Sequence, residues 1–260
     1  MAPRYVYDQA WTDERARLAG LESLWDPGTR DLLTRAGVRE GAHVLEAGAG
    51  GGSVVEWLAT QVGASGRVVA ADLDVRFVEG LASHVVEVAP LDLVTGDVPQ
   101  AAFDLVHSRL VLEHLADRDA VLTKLVNALR PGGVLVIEDY DWTAFGIESA
   151  DGAEQRAAGG ILRFMAAAGF DQTYGRRLVG AFKERGLDAV TGSGRSYVID
   201  ASHPGYAFFR LSFEQIAPQA VQAGIIPEAD AAVVGERLRD GALRVITPTL
   251  IAATGTRCTG

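Results

Sequence analysis

The residues that could do chemistry stand in clusters, each where a short apolar run stops. Glu46 and Ala47 end one such run and are followed by Gly48, Gly50, Gly51 and Gly52, after which Ser53 opens a helical pattern. Glycines at a junction of this kind turn the backbone at positive φ and bring bare main chain against a ligand. The N-terminus of the helix beyond adds free N–H groups and a partial positive charge, which suits an anionic group. Asp72, with Leu73 beside it, lies 24 positions beyond Gly48, where a ribose-binding acid ends the second strand of a nucleotide-binding unit. A helix cap is the competing role for an acid there, and Asp74 fits that role better because it directly precedes the next helical pattern. Asp97, between Gly96 and Val98, either accepts a hydrogen bond from a purine amine or closes a turn. His107-Ser108-Arg109 and Asp139-Tyr140-Asp141 complete the set.

The elements that must position these residues follow from the patterning. Strands are expected at 43–47, 67–72, 91–95, 103–107 and 134–139, with helices at about 53–62, 75–86 and 118–129. Short apolar strands alternating with helices predict a parallel sheet covered on both faces, the three-layer doubly wound α/β plan. Ligands in such sheets bind beyond the carboxyl ends of the strands, and the polar clusters stand there. Upstream, a helical pattern runs through Leu18, Leu21 and Leu24, and Asp26-Pro27 reads as the cap and first residue of a second helix. Residues 141–174 are too long for a tight connection and read as an inserted cap or lid. Residues 175–260 return to the sheet, with helices at about 175–186 and 228–240, a helical segment crowding Tyr206, Phe208, Phe209, Leu211 and Phe213, and a last strand at 249–256.

The 260 residues suit one domain, divided into an N-terminal helical segment (1–40), a core (41–140), the insertion (141–174) and a C-terminal half (175–260). With 48% hydrophobic and 22% charged residues the composition is that of a soluble globular protein. A net charge of −10 without a dense basic run argues against nucleic acid or an anionic membrane as partner. One cysteine, Cys258, excludes a disulfide framework or a cysteine metal site within the chain, and no metal is expected. Neither a signal-peptide core nor an apolar run of membrane-spanning length is seen, so a cytoplasmic location is expected.

Two nucleotide cofactors fit a glycine loop with a ribose acid. The G-x-G-x-x-G of a dinucleotide site is broken, because Ser53 stands where its last glycine belongs. The spacing that is met is E-x-G-x-G-x-G, with Glu46, Gly48, Gly50 and Gly52. Here the sequence resembles the class I S-adenosylmethionine-dependent methyltransferases, closely over residues 40–140 and more loosely beyond. Glu46 with Gly48-Ala49-Gly50-Gly51-Gly52 resembles their first motif, which receives the methionine part of the cofactor. Asp72 corresponds to the ribose acid and Gly96-Asp97-Val98 to the adenine-contacting motif. Phe103-Asp104-Leu105-Val106, Leu112-Glu113-His114-Leu115 and Leu129-Arg130-Pro131-Gly132-Gly133 are similar to later motifs of the small-molecule branch. The resemblance implies seven strands with the last antiparallel, S-adenosylmethionine as cofactor, and specificity from the N-terminal segment and the insertion. His107-Ser108-Arg109-Leu110 departs from the Asn/Asp-Pro-Pro-aromatic pattern of nucleic-acid amino-methyltransferases, and no Pro-Cys pair serves cytosine chemistry.

The expected activity is therefore methyl transfer to an O, N or C atom of a small molecule, mainly by alignment and exclusion of water. The rivals are a non-methylating reaction on the same cofactor, such as a cyclisation, and a non-catalytic scaffold. An NAD-linked oxidoreductase is weaker. If a base is needed, His107 is the first candidate, as a histidine at a strand end beside the expected methyl group, followed by Asp139 and Asp141. His114 and His203 are further candidates, though His114, on the helix turn after the fourth strand, is expected to be structural. Arg109 either pairs with the cofactor carboxylate or an acidic substrate or is a solvated surface arginine, and the alternative for His107 is a main-chain contact to the cofactor with no proton role. The N-terminal aromatics Tyr5, Tyr7 and Trp11 either close over the cofactor or pack on the sheet. A homodimer is compatible with this reading.

Overall fold

The computed structural model describes residues 11–148 and 152–259. Tyr5 and Tyr7 lie outside the described residues, while Trp11 is half-buried. Helix α1 (Glu14–Arg35) leads into β1 (His43–Ala47), α2 (Ser53–Val62), β2 (Arg67–Asp72), β3 (Val86–Pro90) and β4 (Phe103–Arg109). Next come α3 (Arg118–Ala128), β5 (Leu129–Asp141), β6 (Gly146–Ile147), α4 (Ala153–Ala167), α5 (Leu178–Glu184) and β7 (Leu187–Arg195). The remaining elements are β8 (Val198–Ile199), α6 (Tyr206–Gln222), α7 (Glu228–Arg239), β9 (Val245–Ile246) and β10 (Thr249–Arg257).

Seven strands form one sheet in the order β3-β2-β1-β4-β5-β10-β7. β1 pairs in parallel with both β2 and β4, and β10 runs antiparallel to β5 and β7. The expected three-layer plan and its antiparallel last strand are both present. Chain order reverses at β1, which opens a crevice beyond the carboxyl ends of β1 and β4. The strands are apolar on both faces because both are covered. On one face Leu45 and Val106 pack with Leu122 and Leu125 of α3 and Phe182 of α5, and on the other Val44 and Val68 pack with Val55 and Leu58 of α2 and Leu33 of α1.

A third apolar cluster joins Trp25 of α1 and Tyr140 of β5 to residues of α4, α6 and α7, forming a cap over the crevice. The small sheet β6-β9-β8 belongs to this cap. Gly20 lets α1 and α6 approach closely, since a Cβ there would stand 2.6 Å from the Phe208 nitrogen. Among the described residues no helix is long and apolar enough to cross a membrane, and no group of His, Cys, Asp and Glu could hold a metal ion.

Three expectations are corrected. The helix at 75–86 is only a 3-10 turn at Glu79–Leu81. Asp72 Oδ1 accepts from Asp74 N (3.0 Å) and Asp74 Oδ1 from Arg76 N (3.1 Å), which caps the backbone locally instead of extending it into a helix, and Gly80 weakens the propensity further. The third strand runs over Val86–Pro90 rather than 91–95, because Asp92 folds its own segment into a turn by accepting from Val94 N (2.8 Å) and Thr95 Oγ1 (2.8 Å). Lastly, α1 is continuous through Pro27. The cap packing of Leu24 and Trp25 on its one side and of Leu32 and Leu33 on the sheet outweighs the bond lost at the proline.

Gly175 lies where the turn Tyr174–Arg177 crosses β5, and a Cβ there would meet Asp139 O at 2.4 Å and Tyr140 O at 2.9 Å. Backbone on both sides cannot yield, so Gly175→Ala is expected to cost about 1–3 kcal/mol and lower Tm by about 2–12 °C in thermal unfolding. Gly80→Ala, with nothing within 4 Å of the added Cβ, should leave Tm unchanged.

Candidate functional site

The glycine loop between β1 and α2 is built as its composition requires. Gly48, Gly50 and Gly52 have φ of 87°, 53° and 91°, in the left-handed region. A Cβ on Gly48 would stand 2.2 Å from Val111 Cγ2, so only glycine fits beneath that side chain. The loop is anchored to β2 by Gly48 N and Ala49 N donating to Ala71 O (2.8 and 3.1 Å). Gly50 N donates to Asp72 Oδ2 (2.8 Å), and burial holds the Asp72 carboxyl above its ordinary range despite these donors. Each Asp72 oxygen keeps a further lone pair for a ligand hydroxyl.

Beneath the loop lies a buried chain of charges. His107, fully buried on β4, is held by Glu46 of β1 (Nδ1···Oε2 2.7 Å) and Glu138 of β5 (Nε2···Oε2 3.3 Å). Glu138 also accepts from Thr29 Oγ1 of α1 (2.6 Å) and from Arg195 of β7. Arg109 donates to Thr29 Oγ1 (3.0 Å) and Asp26 Oδ1 (2.9 Å). Gly28 makes this possible, because a Cβ there would stand 2.2 Å from Arg195 Nη1. Three carboxylates (Glu46, Glu138, Asp26) thus face three cationic side chains (His107, Arg109, Arg195). Burial alone would push the His107 pKa down, but the two carboxylates outweigh it and raise it to about 9. Glu138, also opposed by burial, is pulled down to about 2 by His107, Arg195 and Arg109.

A cavity of about 210 Å³ lies over the loop. Of the residues singled out from sequence, Glu46, Gly48, Gly50, Gly51, Asp72, Leu73 and Arg109 line it. Ala47 is buried beneath, and Gly52 caps α2 with its Cβ position filled by Leu81 and Val78. Gly96, Asp97 and Val98 are not brought to the cavity; Asp92 and Leu93 stand there instead, because β3 ends five residues earlier than the sequence pattern suggests. The three expected bases are also placed elsewhere. His107 is locked between two carboxylates below the cavity. Asp141 caps the turn at Trp142 through Thr143 N (3.0 Å) and pairs with Arg176 (2.7 Å). Asp139 is fully buried, and its carboxyl faces the backbone N–H groups of Val111 and Glu113 rather than the cavity. Burial holds Asp139 and the neighbouring Glu113 well above the ordinary carboxyl range.

Residues given no part in the site from sequence complete the lining, together with His114, expected to be structural. His114 reaches the cavity and lies against the Phe170 ring at 4.9 Å, with burial and the cations Arg17 and Arg118 pushing its pKa down to about 3. From α1 come Glu14, Arg17, Leu18, Leu21 and Glu22. Glu22 Oε1 is buried without a hydrogen-bond partner among the described residues and lies 2.1 Å from where a Gly51 Cβ would be, while Oε2 accepts from Arg15 (3.0 Å). Tyr140, Trp142, Met165 and Phe208 form the apolar wall. Helical spacing flags only the apolar members of α1; its charged members point into the site because of how α1 crosses the sheet.

Comparison with known proteins gives one family. The model described as "Methyltransferase domain" matches residues 15–191. The methyltransferase str2 of Strobilurus tenacellus is 42% identical over 80 residues, 30% of this chain and 29% of that protein. The ubiquinone/menaquinone biosynthesis C-methyltransferase UbiE of Bordetella parapertussis is 26% identical over 207 residues, 72% of this chain and 78% of that one. Several other curated relatives are spanned by this chain over about half of their length or less. Among solved structures, a phosphoethanolamine N-methyltransferase of Haemonchus contortus with S-adenosylhomocysteine aligns at TM-score 0.56 and 14% identity, covering 90% of this chain and 53% of that one. The cyclase SpnF aligns at TM-score 0.52 and 17% identity, covering 100% and 88%. At such identities the structures share the fold.

The charge chain sets an expected pH dependence. His107, raised from 6.5 to about 9, contributes stability fully below pH 6.5 and loses it as pH rises through 9. Glu138, lowered to about 2, contributes above pH 4.5 and loses it as pH falls toward 2. Tm should therefore be highest near pH 4.5–6.5 with respect to this chain. His107→Gln leaves two buried carboxylates short of a cation and is expected to cost about 3–5 kcal/mol, or about 6–20 °C in Tm at pH 6. It should also make the alkaline fall in Tm shallower, leaving the part due to Glu113 and Asp139. An alkaline slope unchanged in the variant would show that His107 carries no proton.

Proposed function

This chain belongs to the methyltransferase-domain family, and from that premise we propose that it transfers the methyl group of S-adenosylmethionine to a small-molecule acceptor. The observation that carries the reading is the donor set around the glycine loop. Carboxylates stand at or just beyond the ends of three successive strands (Glu46, Asp72 and Asp92), and Glu22 adds at Gly51 a buried carboxylate oxygen that has no partner among the described residues. A pyrophosphate would be repelled by so many acids, whereas a ligand with an α-amine, a ribose diol and an adenine amine offers each of them a donor. Arg17, held by Glu14 (2.8 and 2.6 Å), is the cation on α1 that suits its carboxylate. The residues fit S-adenosylmethionine, which when bound supplies a methyl group on a sulfonium leaving group.

The chain's own contribution is to orient the two reactants and keep water out. Asp72 and Asp92 fix the nucleoside end, Glu46 and Glu22 the amine end, and the cap residues Trp142, Met165, Phe170 and Phe208 close the cavity. His107 acts as a positioning residue, since it holds the Glu46 carboxylate that faces the cavity. His114 is the one histidine among the described lining residues, and with its pKa near 3 it stays neutral at physiological pH. It offers a hydrogen bond to an acceptor without drawing a proton from it. The acceptor in this reading arrives as a competent nucleophile. We read residues 141–174 as the cap that selects it, and the acidic chain as one that acts without nucleic acid.

Isothermal titration with S-adenosylmethionine and S-adenosylhomocysteine tests the site. Asp72→Ala and Asp92→Ala are each expected to weaken binding by about tenfold or more, whereas Asp97→Ala should leave it unchanged. Equal losses at Asp92 and Asp97 would overturn the placement of the nucleoside end. Incubation with methyl-labelled cofactor and a metabolite extract should place label in a small organic molecule. Label confined to protein or nucleic acid, or a native chain that does not bind the cofactor, would sink the reading.

A further inference from the structure

A second cavity, about 60 Å³, adjoins the first, and Trp142, Met165 and Phe208 line both. Phe145, Phe209 and Ser212 stand on its far side. Phe145 stacks on Phe209 (5.9 Å between centroids, 18°) and meets Trp142 edge-on (4.9 Å, 70°). Among the described residues no charged side chain lines this space, and Ser212 supplies the one hydroxyl. The contrast with the larger cavity is sharp, since that one is lined by Glu14, Arg17, Glu22, Asp72, Asp92 and Arg109.

Two polar atoms at this second cavity are unsatisfied. Trp142 Nε1 and Ser212 Oγ are buried with no hydrogen-bond partner among the described residues. An unmet buried donor costs about 1–3 kcal/mol, and a helical serine ordinarily donates to the carbonyl one turn back. Two such atoms on side chains that line one otherwise apolar pocket mark a place for a ligand oxygen.

Resting on the reading above that the larger cavity holds the cofactor and the reacting atom, we infer that the second cavity is the apolar subsite of the acceptor. The acceptor is then an uncharged molecule that seats one edge of an aromatic or hydrocarbon body in this small space between Trp142 and α6, the rest lying in the larger cavity, with a hydroxyl or carbonyl oxygen beside Trp142 or Ser212. An ionised phosphate, carboxylate or ammonium would be stripped of water there with no counter-charge, so such acceptors are excluded from this subsite. Met165, unbranched and flexible, is suited to repack around bodies of different shape.

Titration of the full chain saturated with S-adenosylhomocysteine tests this, with 1-naphthol and 1-naphthyl phosphate as probes. Naphthol is expected to bind about tenfold tighter or better. Ala158 of α4 and Ser212 both line the subsite and neither lines the larger cavity, so Ser212→Leu and Ala158→Phe, which fill it, should weaken naphthol about fivefold or more while the affinity for S-adenosylhomocysteine is unchanged. Naphthol binding no tighter than naphthyl phosphate overturns the inference, as does undiminished naphthol binding in a filled variant that retains S-adenosylhomocysteine. Should both variants fail to fold, the comparison of the two probes on the native chain decides. A native chain that does not bind S-adenosylhomocysteine overturns the cofactor reading instead, and that result is visible before either probe is added.

Discussion

The imidazole of His107, held between the carboxylates of Glu46 and Glu138, is the contact on which the rest of the site depends. It joins β1, β4 and β5 at their carboxyl ends, and through Glu138, Thr29 and Arg195 it reaches α1 and β7. Such a chain contributes little net stability, because taking each charge out of water offsets most of the attraction gained. Its effect is geometric. Glu46 cannot turn away from the cavity while Nδ1 holds it, and α1 cannot shift without unpairing Arg109 from Asp26.

That constraint explains how a helix at the start of the chain becomes part of a site built by the sheet. α1 is fixed at Thr29 and Asp26 by the charge chain, at Trp25 by its Nε1 donating to the Tyr140 hydroxyl (2.6 Å), and at Gly20 by close approach to α6. Its earlier turns then carry Leu18, Leu21 and Glu22 over the glycine loop. The polar half of the cavity is thus made by strand ends and α1, and the apolar half by the insertion and α6. A charged cofactor and an apolar acceptor would each meet the surface that suits it, with Trp142, Met165 and Phe208 between them.

Much of the fold was legible along the chain. Strands β1, β2, β4, β5 and β10 and helices α2 and α3 are runs whose apolar pattern and flanking glycines agree with their environment. The segment between β2 and β4 was not. Val75, Phe77, Val78 and Leu81 have the apolar content of a helix, and Leu91, Leu93 and Val94 that of a strand. Asx turns at Asp72, Asp74 and Asp92 decide otherwise, since a side-chain oxygen that captures a nearby N–H removes it from the ladder or helix it would join. The misplaced strand moved the expected acid from Asp92 to Asp97.

The sequence by itself determined the doubly wound sheet, the glycine loop with its positive φ angles, and Asp72 as the acid beside it. These follow from local rules, because a glycine cluster between an apolar run and a helical pattern has few backbone solutions. Which side chains face the cavity was decided only by tertiary structure. His107 and Asp139 stand near strand ends as Glu46 does, yet pleat direction and neighbouring strands turn them away from the cavity, where two carboxylates raise the His107 pKa to about 9 and burial raises that of Asp139. His114 and Glu22 reach the site because elements distant in sequence cross there. Charge state and exposure are properties of the assembled surroundings, and no single stretch of the chain contains them.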